Sequence, residues 1–231
     1  FAKLHHDILS QKRGNGLWLW KPYFIHKALI EECAEGDILF YLDAAAFFIS
    51  DVRMIEKVMD DDIYATCLPY IEADWTKSEA FDIMDMDKEV YKNSFQYQAS
   101  FMAFRKSMRS IMFVEEWLNN CCNPDLINPA QNIGKQIETF QNHRMDQSCF
   151  SLLCKKYNVS PHKDPTQFGI WGYPEVRGAR YVGVKMKNEY PIVIVLHRLK
   201  DFGLRNKLRL VKRTMCLISK NIIKNIRRKR C

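Results

Sequence analysis

Ile38-Leu-Phe-Tyr-Leu-Asp-Ala-Ala-Ala-Phe-Phe-Ile-Ser-Asp51 carries an apolar and aromatic run straight into a single carboxylate, Asp43, which small residues follow. A short continuous apolar run reads as a buried strand of an α/β sheet. Ligands of open α/β sheets bind beyond the carboxyl ends of the strands, so a lone acid there marks a candidate reaction centre. Asp is also a common helix cap, and the segment alone divides evenly between the two readings.

The flanking pattern keeps to the α/β class. Residues 1–12 read as the end of a helix, Gly14 and Gly16 punctuate a turn, and Pro22 suits the first turn of a helix over 23–34. Gly36 stops that helix, and the strand over 38–43 follows. Downstream, the spacing predicts a helix over 52–59, a strand over 63–68 ended by Pro69, and a helix over 76–86. Thr76 and Glu79 form a possible capping box for the last of these. A half-buried strand over 97–104, an amphipathic helix over 107–121 and a polar exposed loop over 123–142 come next. Asp146 can cap an apolar helix over 147–157, and a buried strand over 192–196 ends at His197-Arg198. Only 42 residues precede Asp43, fewer than a nucleotide-binding α/β domain usually needs, so an N-terminal strand is expected to be missing from this sequence.

Charge is unevenly placed. The net charge is +8, yet from Arg198 to Arg230 thirteen Lys and Arg face one acid, Asp201. The remainder carries 22 basic and 26 acidic side chains, so a mildly acidic body bears a strongly basic tail. A hydrophobic content of 47% excludes a disordered chain. The eight cysteines form no Cys-x-x-Cys pair, which favours a reducing compartment and structural thiols over disulfides or a zinc site. No apolar run approaches the ~20 residues of a membrane span.

Two strings carry chemistry. Arg13-Gly-Asn-Gly-Leu-Trp-Leu-Trp-Lys-Pro-Tyr23 combines glycines that let a ligand approach the backbone with aromatic faces and the phosphate-directed charges of Arg13 and Lys21. Trp18 and Trp20 read more readily as core than as ligand-facing. His143-Arg-Met-Asp-Gln-Ser148 opens the apolar helix and offers Asp146 and Gln147. Asp74, Trp75 and Lys77 read equally well as the lining of a sugar pocket or as a solvated loop.

These strings, with Tyr41-Leu-Asp-Ala44 and Trp75-Thr-Lys77, resemble a family of bacterial glycosyltransferases found among capsule and surface-polysaccharide enzymes. The similarity extends over most of 12–198 and excludes the tail. It implies a GT-A-like domain over 1–198, a mixed sheet flanked by helices that binds a nucleotide-sugar donor. It further implies a hexosyltransferase-like reaction, inverting or retaining, on a glycan or lipid-linked glycan acceptor of capsule or lipopolysaccharide synthesis. Arg13, Trp20, Lys21 and Gln147 would then bind the donor. Many GT-A enzymes hold Mn²⁺ or Mg²⁺ on the donor diphosphate with Asp-x-Asp, and here the matching residues are Asp43-Ala44-Ala45. With the second carboxylate absent, two routes stay open: a metal on Asp43 and His197, or metal-independent departure with Arg198 meeting the diphosphate. Asp146 would serve as general base toward the acceptor, or as a polar group on the other sugar face.

In the tail, Leu204, Leu208, Val211, Met215, Ile218 and Ile222 recur at helical spacing among Lys and Arg. A basic amphipathic helix over 199–231 reads as an anionic membrane-surface element rather than a nucleic-acid binder. The expected location is cytoplasmic, peripheral on the inner face of the cell membrane. The alternative reading is a catalytically inactive GT-A-like binding module, or a peripheral membrane protein whose tail is its whole function.

Overall fold

The computed structural model describes residues 1–130, 132–183, 190–197 and 204–228, and among them the chain is a mixed α/β protein. Its strands are β1 (Ile38–Leu42), β2 (Ala46–Phe48), β3 (Ile63–Ile71), β4 (Phe95–Arg105), β5 (Pro161–His162) and β6 (Ile194–Leu196). Among the described residues four helices exceed two turns: α1 (Trp20–Glu31), α2 (Met108–Cys122), α3 (Met145–Lys156) and α4 (Leu204–Arg228). Packing divides the chain into two units. The first comprises Phe1–Tyr41, Asp60–His162 and Glu175–Lys185; the second comprises Leu42–Met59, Lys163–Pro174 and Met186–Cys231.

The first unit is built on a sheet of order β1-β4-β3-β5. β3 runs antiparallel to β4 and parallel to β5, so the sheet is mixed. Almost every residue of β3 and β4 is buried, as expected of central strands covered on both faces. α3 lies on β4, and α2 packs against both α1 and α3. Phe113 meets Phe150 edge-on at 5.6 Å and Trp117 lies 4.9 Å from the same ring, locking α2 to α3.

Local expectations fail at four points, each for a tertiary reason. β3 continues through Pro69 because the β3–β4 register breaks between Leu68 and Ile71, where a missing N–H removes no ladder bond. Pro69 instead offers its carbonyl to Val182 N–H at 2.8 Å. Thr76 caps no helix: its hydroxyl is turned to Glu72, and the turn Ser78–Ile83 starts after Lys77. Asp146 sits inside the first turn of α3, whose N-cap is Arg144, so its carboxylate is directed elsewhere. The 123–142 stretch is also less open than its polarity suggests, because the turn Pro124–Ile127 buries Leu126 and Ile127.

The second unit holds an antiparallel ribbon of β2 and β6, with Ala46 opposite Leu196 and Phe48 opposite Ile194. Leu217 of α4 is fully buried with Ile192 and Val195, and Phe47 and Ile49 pack around them. Among the described residues no helix is long and apolar enough to cross a membrane.

Candidate functional site

The two motif strings meet in the first unit. Lys21, in the first turn of α1, extends Nζ to 2.8 Å from Asp146 Oδ2 in the first turn of α3. The same ammonium donates to Ala99 O on β4 at 2.8 Å and lies 5.4 Å from the Tyr41 ring centroid. Both charged residues are only 4% exposed. Trp117 Nε1 donates to the Asp146 carbonyl at 3.0 Å, fixing the backbone at this turn. The result is a buried ion pair that ties α1, β4 and α3 together at one point.

Gln147, the next residue, opens a polar chain across β4. Its Nε2 donates to Gln96 Oε1 at 2.8 Å, and Gln96 Nε2 donates to Glu72 Oε1 at 3.1 Å. Glu72 is fully buried and also accepts from Thr76, Ser151 and Lys155. Burial pushes the Lys155 ammonium below its usual range, and the Glu72 charge pulls the other way. None of Glu72, Gln96, Ser151 and Lys155 stands out as a functional residue in the sequence. The one local signal is Gln147, Ser151 and Lys155 at i, i+4 and i+8, a polar stripe on an otherwise apolar helix.

His143 is buried and fixed as a neutral ring: Nδ1 accepts Lys77 N–H at 3.3 Å, so Nε2 carries the proton it gives to Leu126 O at 2.9 Å. Burial first, then the nearby Lys77 and Arg13 charges, lower its pKa to about 3. Lys77 gives its ammonium to Asn128 O at 2.7 Å, and burial lowers its pKa. Asp74 is buried and holds Arg180 through Nε at 2.9 Å and Thr139 through its hydroxyl at 2.8 Å. Arg144 covers Trp75 at 3.9 Å from the ring centroid, with Tyr70 at 5.2 Å. Asp74, Trp75 and Lys77 are therefore anchored core residues, and the solvated-loop reading of them fails. A cavity of about 310 Å³ opens beside Lys77, lined also by Glu79, Asp82, Ile83, Pro124 and Asp125. Three carboxylates to one ammonium give it the wrong sign for a nucleotide diphosphate.

The glycine string serves packing. Asn15, Leu17 and Trp18 all have positive φ, and Gly14 at φ +60° lies so close to the Trp18 indole that a Cβ would stand 2.4 Å from it. A Cβ on Gly16 would meet Leu9 Cα at 2.7 Å. Close approach is what these glycines permit, but the approaching groups belong to the chain itself. Trp20 is half-buried, with Nε1 on Gly14 O at 3.0 Å, and Arg13 is exposed at the edge of this turn.

In the second unit Asp43 and His197 stand at the same end of the β2–β6 ribbon. Asp43 O accepts Ala46 N–H at 3.0 Å, and His197 N–H donates to Ala45 O at 2.9 Å. Arg198 lies outside the described residues. Among the described residues no group of three or more His, Cys, Asp or Glu side chains could hold a metal ion. Asp43 and His197 are two donor residues at that end of the ribbon, fewer than a divalent cation needs from protein alone.

Comparison with known proteins found no family model, no curated protein and no solved structure that matches the chain.

Proposed function

We propose that the chain is a GT-A-like glycosyltransferase that moves a sugar from a nucleotide-sugar donor to a capsule or lipopolysaccharide acceptor, working on the cytoplasmic face of the cell membrane. The observation that carries this reading is the end of the β2–β6 ribbon, where Asp43, directly after β1, stands with His197. In the reaction the acceptor oxygen bonds to the anomeric carbon while the bond from that carbon to the diphosphate breaks. The bonding pair leaves with the nucleoside diphosphate, and the acceptor proton passes to a base. Asp43 and His197 would hold the diphosphate end, through Mn²⁺ or Mg²⁺ where one is bound; the cation neutralises charge on the leaving group. Arg198 would meet the same phosphates. In the first unit, Asp146 is the residue that the motif resemblance offers as the base of an inverting transfer, or as the polar group on the other sugar face of a retaining one. Lys21 acts through Asp146, because its ammonium is already committed to that carboxylate and to Ala99 O. Gln147 is likewise oriented by Gln96 and Glu72.

One observation favours a second reading, a GT-A-like module that binds a sugar nucleotide without turning it over: Asp146 is buried with Lys21. A panel of sugar nucleotides, with and without Mn²⁺, separates the two. Release of nucleoside diphosphate from one donor supports transfer. Calorimetric binding without release selects the module, and neither binding nor release rejects both.

A further inference from the structure

α4 is anchored through Leu217 and exposes a row of apolar side chains. Among the α4 residues whose burial is described, Leu217 is fully buried, packed with Ile192 and Val195. At about 100° per residue, Leu217 lies about 140° around the helix from the line through Leu204 and Met215. Leu204, Leu208, Val211, Met215 and Ile218 follow that line, and all are exposed, from 39% to 76%. The anchor therefore leaves the apolar stripe pointing away from the β2–β6 ribbon. Arg205, Arg209, Lys212 and Arg213 are exposed too, and by position Arg205 and Lys212 border the stripe. Residues 204–228 hold nine Lys and Arg and no acid.

The charge decides what can cover such a face. A second copy would bring nine like charges against nine, and nucleic acid would answer the charge while leaving the apolar stripe wet. An anionic bilayer answers both, taking the stripe among its acyl chains and the Lys and Arg among its headgroups. We propose that α4 lies in the plane of an anionic membrane, stripe inward, with the Leu217 contact holding the β2–β6 ribbon on the opposite side. This goes beyond the transfer reading and stands without it, because lipid binding is read with no donor or acceptor present.

The test is flotation of the full chain with vesicles of phosphatidylcholine alone or mixed with phosphatidylserine. The protein should float with the mixed vesicles only, and added salt should weaken it. Replacing Arg205 and Lys212 together by Gln should weaken partitioning about thirtyfold, from about 1 kcal/mol per basic residue at about 1.4 kcal/mol per tenfold. Leu208→Asp with Met215→Asp should abolish flotation without moving the melting temperature, since both side chains are exposed. Flotation that survives the double Asp variant overturns the proposal. So does equal binding to neutral vesicles, or a dimer in sedimentation that the Asp variant dissolves.

Discussion

Replacing Lys21 by Met keeps the length and apolar stem of the side chain and removes only its ammonium. That group stands 2.8 Å from Asp146 Oδ2 and 2.8 Å from Ala99 O, so the variant strands a carboxylate whose side chain is 5% exposed and a β4 carbonyl. Removing one partner of a buried ion pair costs about 3–5 kcal/mol. Against a total stability of about 5–15 kcal/mol this is a large fraction, and it moves a urea midpoint far. Asp146→Asn is milder, about 2–3 kcal/mol, because the amide oxygen still accepts from the ammonium. The double variant buries no charge, so it should lie close to Asp146→Asn, with a coupling of at least about 2 kcal/mol between the sites. Urea unfolding followed by tryptophan fluorescence and circular dichroism at constant slope supplies the four stabilities. High salt should leave the coupling unchanged, since the pair is shielded from solvent. Additive single effects, or a Lys21→Met cost under about 1 kcal/mol, would refute the buried pair.

His143 should remain neutral well below the usual histidine range. Its pKa is lowered from 6.5 to about 3, so between those values the unfolded chain holds a proton that the folded chain lacks. Its contribution is full above pH 6.5 and drains away as the pH falls toward about 3, by up to about 1.4 kcal/mol per pH unit. Nitrogen NMR should report the neutral Nε2–H tautomer at pH 5, and a titration midpoint near 6.5 would contradict the assignment. Gly14→Ala and Gly36→Ala both place alanine at positive φ, yet only Gly14 has a neighbour, the Trp18 indole, within reach of the new Cβ. Gly36→Ala should cost about 1–2 kcal/mol of backbone strain, and Gly14→Ala should cost more and shift tryptophan emission. Equal costs with unchanged emission would show that Trp18 does not lie on Gly14.

β1 is legible as a strand because its apolar run has no helical alternative of that length, but not its place at the sheet edge, where all five residues are half-buried rather than buried; α2 is legible because its apolar residues keep helical spacing. β4 is legible as a strand, but its burial on both faces is not, since Gln96 and Gln98 look like solvent-facing positions until their partners are known. Gln98 donates to Thr66 and Gln96 to Glu72, both across the sheet from β3 or the turn after it. Those partners become neighbours only through strand pairing. The capping signals show the same limit: Thr76 with Glu79 matches the pattern, while the box that forms uses Ser107 and Ser110. Lys21 and Asp146 are each conspicuous as motif residues, but nothing local says that one neutralises the other across the core. Asp43 and His197 are each legible as residues at strand ends, but the β2–β6 pairing that puts them at one end of a ribbon is not, since nothing in the sequence marks 46–48 as a strand.

Asp43→Ala tests the central claim most directly. Circular dichroism and a melting curve first establish that the variant is folded. With the sugar nucleotide that the wild type turns over, the variant should lose nucleoside diphosphate release by about a hundredfold or more, the scale of losing a group that stabilises leaving-group charge. Unchanged release from the folded variant would remove Asp43 from the donor site and the glycosyltransferase reading with it.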